Sequence, residues 1–104
     1  IPLPCKTGND VYLPLLKSAL NQLIDQHKPE IVFYQAGVDV IAGDKFGRLA
    51  LSLEGCQERD HLVIQKCKAH SLPLVITMGG GYSRDINTIL KAHANTFREA
   101  FSCY

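Results

Sequence analysis

The chain has 104 residues, 46% of them hydrophobic and 20% charged, which is a composition typical of one small globular domain. It carries 11 Lys and Arg against 10 Asp and Glu, so its charge offers no attraction for nucleic acid or an anionic membrane, and no apolar run is long enough to span a bilayer. The N-terminus lacks the basic and apolar regions of a signal peptide, and the four cysteines lack metal-binding spacing, so we expect a cytoplasmic protein without nucleic-acid or membrane partners.

The first predicted element is a helix. Asn9 and Asp10 are possible N-caps, and apolar residues then recur at helical spacing over Tyr12–Ile24. Pro14 is expected in the first turn, where a missing N–H costs least, and Pro29 is expected to end the helix.

The rest of the chain predicts strand, helix, strand and helix. The apolar run Ile31–Tyr34 is typical of a parallel strand that is covered on both faces, and Leu74–Met78 is the second strand. Between them, Ser52 is expected to cap a helix, and a last helix is expected to begin near Ser83. The middle helix is expected to turn Leu53, Cys56, Val63, Ile64 and Cys67 towards the core. The last helix has an apolar stripe at Ile86, Ile89, Leu90, His93, Ala94, Phe97 and Phe101.

This order of elements predicts a right-handed parallel crossover, and hence an α/β layered fold. In such sheets, chemistry collects in the loops beyond the carboxyl ends of the strands. The polar, glycine-rich segments 37–47 and 79–83 both follow strands. We therefore expect these two loops to lie side by side at one edge of the sheet.

The first of these loops contains two carboxylates. Asp39 stands between Val38 and Val40, and a carboxylate in apolar company needs either a cation or several backbone donors. Its sequence context leaves both interpretations open, a metal or cation ligand and a residue that structures the loop. Asp44, which follows Gly43, is interpreted as a turn residue.

The second loop, residues 79–83, contains three glycines followed by Tyr82. It could form a phosphate cradle, although its spacing is not GxGxxG and a bulky side chain stands where the anion would bind. It could present the Tyr82 phenol to a developing oxyanion, or form a structural turn with a packed tyrosine. No histidine pair has metal-ligand or catalytic spacing, and His93 is expected in the core.

Three segments, in order, resemble parts of one family. Residues 37–52, GVDVIAGDKFGRLALS, resemble the GxDxxxGDxxGxLxLS segment of histone deacetylases and their relatives, the acetoin-utilization proteins and acetylpolyamine amidohydrolases. Residues 79–82 resemble the GGGY segment that follows the next strand in that family. Residues 3–13 resemble its LPxxTGDxxYL segment, with Asn9 in place of the usual Asp. The Ala-Gly-x-Asp wording and the Arg59-Asp60 pair look most similar to the class IV deacetylases.

The resemblance implies a fold and a role for individual residues. The fold would be the three-layer α/β/α parallel sheet of the arginase and deacetylase type, with residues 1–104 forming its C-terminal part only. Asp39 matches a zinc ligand, and Tyr82 matches the tyrosine that hydrogen-bonds the scissile carbonyl and its tetrahedral intermediate. Phe46 matches an apolar residue on the wall of the acyl-lysine tunnel, and Gly80 and Gly81 are expected beside the substrate.

The resemblance also implies an activity for the full-length protein, namely zinc-dependent hydrolysis of acyl-lysine or related small N-acyl amides. The family's paired histidines and Asp-x-His ligands would lie upstream, so the chain alone is expected to retain no zinc and to be inactive. We expect it to bind the remainder of its polypeptide, or to self-associate through exposed strands. The rival hypothesis is a non-catalytic α/β interaction module. A phosphate- or nucleotide-binding module is a third, for which no Lys or acidic ribose partner is placed.

Overall fold

The structure is a computed structural model that describes residues 1–104 and contains three helices and two strands. The elements in chain order are α1 (Asn9–His27), β1 (Val32–Gly37), α2 (Leu53–Ala69), β2 (Leu74–Gly79) and α3 (Ile86–Cys103). The strands pair in parallel, with Val32 opposite Leu74 and Gly37 opposite Gly79. The predicted parallel α/β fold is therefore confirmed. No helix combines the length and the apolar character that crossing a bilayer requires.

The helices lie against one face of the sheet. Helix α2 packs between α1 and α3 and also contacts β1, and the core cluster beside the sheet contains Val38, Ile41, Cys56 and Ala92. The opposite face is open: Phe33 is 70% exposed and its register partner Val75 is 37% exposed. The sequence predicts a sheet that is covered on both faces, but the helices of this chain cover only one face.

Helix α1 begins earlier than its sequence predicts. Its N-cap is Gly8, and Asn9 and Asp10 are helical residues rather than caps. The Asn9 side chain instead binds the start of α2, because its Nδ2 donates to Ser52 Oγ at 3.0 Å and its Oδ1 accepts from the Ser52 N–H at 3.1 Å. This contact anchors the earlier start, so Pro14 lies in the second turn and the prediction of a first-turn proline is wrong.

The end of α1 agrees with its sequence. The helix stops at His27, and Lys28 forms the cap in the left-handed conformation, with φ of 43°. Pro29 follows immediately and cannot continue the helix. The predicted end at Pro29 is therefore confirmed.

Helix α2 agrees closely with its sequence pattern. Ser52 is the N-cap, and its Oγ accepts a hydrogen bond from the Gly55 N–H at 3.0 Å. Among the predicted core positions, Cys56, Val63, Ile64 and Cys67 are buried, and Leu53 packs against the core cluster. Two charged residues, Arg59 and Asp60, are buried on the same stripe, which the sequence does not predict.

Helix α3 begins at Ile86, later than the predicted start near Ser83, because Asp85 is its N-cap and accepts from the Asn87 N–H at 3.0 Å. The buried residues of this helix are Ala92 and Thr96. Much of its apolar stripe faces solvent. The large exposed side chains are those of Ile86, Leu90, Phe97 and Phe101.

Candidate functional site

Two loops meet at the carboxyl edge of the parallel pair. We call residues 38–47 the Asp39 loop and residues 79–83 the glycine loop. The Val38 N–H donates to the Gly79 carbonyl at 3.0 Å, and the Lys45 N–H donates to the Tyr82 carbonyl at 3.3 Å. Asp39 and Tyr82 thus lie at the same edge of adjacent parallel strands, and that prediction is confirmed.

The Asp39 carboxylate makes no hydrogen bond within the protein, and it is half-buried. The loop's backbone donors bind Asp44 instead, so the loop-structuring interpretation of Asp39 is wrong. Glycines make room for it: a Cβ on Gly80, whose φ is +63°, would lie 2.7 Å from the Asp39 Cγ. A Cβ on Gly47 would lie 1.6 Å from the Asp39 carbonyl oxygen. The arrangement leaves a carboxylate that is free to bind a cation.

Asp44 joins the two loops. Its Oδ1 accepts from the N–H groups of Phe46 at 2.9 Å and Gly47 at 2.8 Å, which confirms its predicted role as a turn residue. Its Oδ2 accepts from the Tyr82 N–H at 2.7 Å, a link that the sequence does not predict. Partial burial would raise the pKa of Asp44, but the N–H donors of Gly47, Tyr82 and Phe46 hold that pKa below its usual range.

Tyr82 and Phe46 are neighbours on the outer side of this link. Their ring centroids are 5.0 Å apart with an interplanar angle of 78°, which is an edge-to-face contact. Tyr82 is 52% exposed, and its hydroxyl makes no hydrogen bond within the protein. The phenol is therefore available as a donor to a bound molecule, and Phe46 forms an apolar wall beside it.

Asp39 also lines a polar cleft together with Tyr12, Tyr34, Gly80 and Arg59. Gly80 belongs to the glycine loop, so both loops contribute to the cleft. The remaining members come from α1, β1 and α2. The cleft therefore brings together residues from every helix and strand except α3.

A buried ion pair lies behind this cleft. Asp60 Oδ1 accepts from Arg59 Nε at 3.0 Å, from Arg59 Nη2 at 2.8 Å and from the Tyr34 hydroxyl, and Asp60 Oδ2 accepts from Thr96 Oγ1 at 2.6 Å. Burial raises the pKa of Tyr34 well above its usual range, so its hydroxyl stays protonated as a donor. We call Arg59, Asp60, Tyr34 and Thr96 the ion-pair network. The sequence marks the Arg59-Asp60 pair only as a point of resemblance and does not predict this network, although both residues fall on the buried stripe of α2.

The chain by itself offers one candidate metal ligand at the cleft. A catalytic zinc usually has three protein ligands and a water. No group of three His, Cys, Asp or Glu side chains in the chain is arranged to hold a metal ion. Asp39 fits one ligand position because its carboxylate is unpaired and faces the cleft. No histidine lines the cleft, and His61 Nδ1 pairs with Glu99 Oε1 at 2.6 Å.

Comparisons with known proteins agree on one family. Residues 1–97 match the family model described as the histone deacetylase domain. The chain is 38% identical over 102 residues to an uncharacterised protein of Picosynechococcus sp., covering 98% of this chain and 34% of that protein. It is 37% identical over 78 residues to histone deacetylase 2 of Arabidopsis thaliana, covering 75% of this chain and 20% of that protein.

A solved structure gives the same result for the fold. The chain superimposes on an acetylpolyamine aminohydrolase from Burkholderia pseudomallei with a TM-score of 0.76 and 26% identity, covering 98% of this chain and 28% of that one. The chain thus spans about a third of the length of these relatives, or less.

Proposed function

The chain belongs to the histone deacetylase family, and we propose that it is the C-terminal part of a zinc-dependent amidohydrolase that removes acyl groups from lysine or from related small N-acyl amides. The observation that carries the proposal is the pairing of a free carboxylate, Asp39, with an exposed phenol, Tyr82, at one edge of the sheet. The family match and the likeness to an acetylpolyamine aminohydrolase support amide hydrolysis as the reaction.

Each residue of the site has a distinct task in this proposal. Asp39 would be one ligand of the zinc, which when bound supplies a Lewis acid and an activated water. The Tyr82 hydroxyl would donate a hydrogen bond to the oxygen of the scissile carbonyl, and this bond strengthens as negative charge develops there. Phe46 would line the path of the acyl-lysine chain, and Gly80 and Gly81 would let the substrate approach the backbone closely.

The remaining zinc ligands and the general base would come from residues outside these 104. The small share of the relatives' length that the chain covers supports this division. The chain alone is therefore expected neither to retain zinc nor to turn over substrate. Its partners would be the rest of the catalytic domain and the acylated substrate.

A second candidate is a non-catalytic α/β interaction module, in which Asp39 and Tyr82 carry no chemistry. The exposed apolar side chains of α3 and of the open sheet face favour this candidate, because such surfaces commonly bind other proteins. It differs from the first proposal in a measurable way, since it predicts no dependence of any hydrolytic activity on Tyr82.

Tyr82→Phe tests the proposed role of the phenol in the complete protein that contains this chain. Hydrolysis of an acetyl-lysine peptide and of an acetylated polyamine would be followed, together with bound zinc. We expect kcat to fall by about 10²–10³-fold with zinc retained, as for the loss of other oxyanion donors. Tyr104→Phe is the matched control, because the Tyr104 hydroxyl binds the Leu72 carbonyl far from the cleft. Equal activity of the two variants would contradict the proposal.

A further inference from the structure

The ion-pair network is a costly feature for so small a chain. Arg59 is 3% exposed and Asp60 is fully buried, and taking both charges out of water is unfavourable. Each acceptor oxygen of Asp60 is nevertheless satisfied, and no buried side-chain nitrogen or oxygen in the chain lacks a partner. Apolar residues that fill the same space are often no less stable than a buried ion pair. Stability alone therefore does not explain the pair.

The Nη1 atom of Arg59, which does not bind Asp60, contacts the backbone immediately before the Asp39 loop. Arg59 Nη1 donates to the Gly37 carbonyl oxygen at 2.5 Å, where β1 ends. The Asp39 carboxylate lies against this same residue, because a Cβ on Gly37 would be 3.0 Å from the Asp39 Oδ1. The guanidinium thus fixes the backbone on which the carboxylate rests, and Arg59 and Asp39 line the same cleft.

The other partners fix the guanidinium in turn. Asp60 binds two of its nitrogens, and the Arg59 Cζ lies 5.7 Å from the centre of the Tyr34 ring. Tyr34 and Thr96 hold Asp60 from β1 and from α3. Asp60 and Tyr34 therefore hold the guanidinium directly, and Thr96 holds it through Asp60. Its Nη1 is left to donate to the end of β1.

We propose that Arg59 is a positioning residue for Asp39, and that it fixes the direction of the carboxylate that would bind the zinc. This inference rests on the proposed function, in which Asp39 is a zinc ligand. It assigns to Arg59, on α2, a part in metal binding that is exerted through a single hydrogen bond to the backbone of Gly37. The partners that orient a metal ligand typically change metal affinity by about 10–100-fold when they are removed.

The test compares the zinc affinities of three variants in the complete protein, by competition with a chelating indicator. Arg59→Lys keeps the charge beside Asp60 but has one nitrogen in place of the three that reach Asp60 and Gly37. We expect its zinc affinity to fall by about 10–100-fold. Thr96→Val is the matched control: it removes a donor to Asp60 but leaves the bond from Arg59 to Gly37. It should lower the melting temperature, and because it acts on Arg59 only through Asp60 it should reduce zinc affinity much less than Arg59→Lys does.

Two results would overturn the inference. One is unchanged zinc affinity in a folded Arg59→Lys protein, and the other is an equal loss of zinc affinity in Thr96→Val. If Arg59→Lys does not fold, the double variant Arg59→Met with Asp60→Asn removes both charges together and is judged by the same criterion. Asp39→Ala separates the two proposals. If the Asp39→Ala protein keeps its zinc affinity, the proposed function fails. If Asp39→Ala loses zinc affinity but the Arg59 variants keep it, only the positioning role of Arg59 fails.

Discussion

Asp39 and Asp44 lie in the same loop, but the protein hydrogen-bonds only one of them. Three backbone N–H groups, from Phe46, Gly47 and Tyr82, point at Asp44, which therefore serves as an anchor between the two loops. None points at Asp39, whose half-buried carboxylate makes no hydrogen bond within the protein and stays accessible to a cation. The two side chains are chemically identical, so the distribution of backbone donors decides which one is available for chemistry.

Asp44 gives the loop link a defined dependence on pH. Because the folded pKa of Asp44 lies below its unfolded value of about 3.9, its contribution to stability is present above that pH and is lost as the pH falls through the folded pKa. Asp44→Asn keeps one side-chain oxygen as an acceptor, but an amide NH2 replaces the carboxylate oxygen that accepts from the Tyr82 N–H. We expect it to lower the free energy of unfolding by about 1 kcal/mol at neutral pH, a value reduced for solvent screening.

Denaturant unfolding of the wild type and the variant between about pH 2 and about pH 7 would check this prediction, because that range spans the titration of a carboxyl group. Asp25→Asn is the control, because Asp25 is exposed on α1 and binds no backbone donor. The difference between wild type and Asp44→Asn should shrink towards acid. A constant difference across the pH range would show that the carboxylate charge does not hold the loops together.

The places of Asp39 and Tyr82 could be predicted from the sequence, because each follows a strand and parallel strands end at the same edge. The free state of Asp39 could not, since it depends on where the N–H groups of Phe46 and Gly47 point. The burial of Arg59 could not be predicted for a related reason: a charged residue on a helix is usually solvated. Its burial depends on partners in other elements, which local sequence does not show.

At the scale of whole elements, the ends of the helices divide into two classes. The cap of α2 and the end of α1 were predicted correctly, because Ser52 and Pro29 act on their own neighbours in the chain. The starts of α1 and α3 were not, because the side chain of Asn9 binds a distant residue and Asp85 competes with Ser83 as a cap. Local signals locate an element, and contacts between elements decide its first turn.

The apolar stripe of α3 shows a further limit of periodicity. The spacing correctly predicts a helix with one apolar face, yet large residues on that face are exposed, and Phe101 is 91% exposed. Periodicity identifies a surface that needs a partner but does not say which part of a protein supplies it. The open face of the sheet around Phe33 has the same character.

On the scale of the whole molecule, these surfaces predict self-association of the chain alone. Both strands lack a second neighbour, and a two-stranded sheet with unpaired edges and exposed Phe33 and Val75 side chains favours pairing with another chain. Light scattering across a dilution series should show assemblies that dissociate on dilution. Phe33→Lys should weaken them by placing a charge on the open face, whereas Lys17→Gln on α1 is the control and should not.

A stable, folded monomer at micromolar concentration would show that these residues form a self-sufficient domain. Such a result would favour the interaction module over the catalytic part.

The zinc content of the complete protein, measured by elemental analysis after dialysis against a weak chelator, tests whether Asp39 is a zinc ligand. If Asp39 is a zinc ligand, the wild type should retain stoichiometric zinc and Asp39→Ala should lose most of it, because the remaining ligands hold the ion weakly. The 104-residue chain alone should retain none. Asp25→Ala, an exposed carboxylate on α1, is the control and should match the wild type. Full zinc occupancy in a folded Asp39→Ala protein would contradict the account.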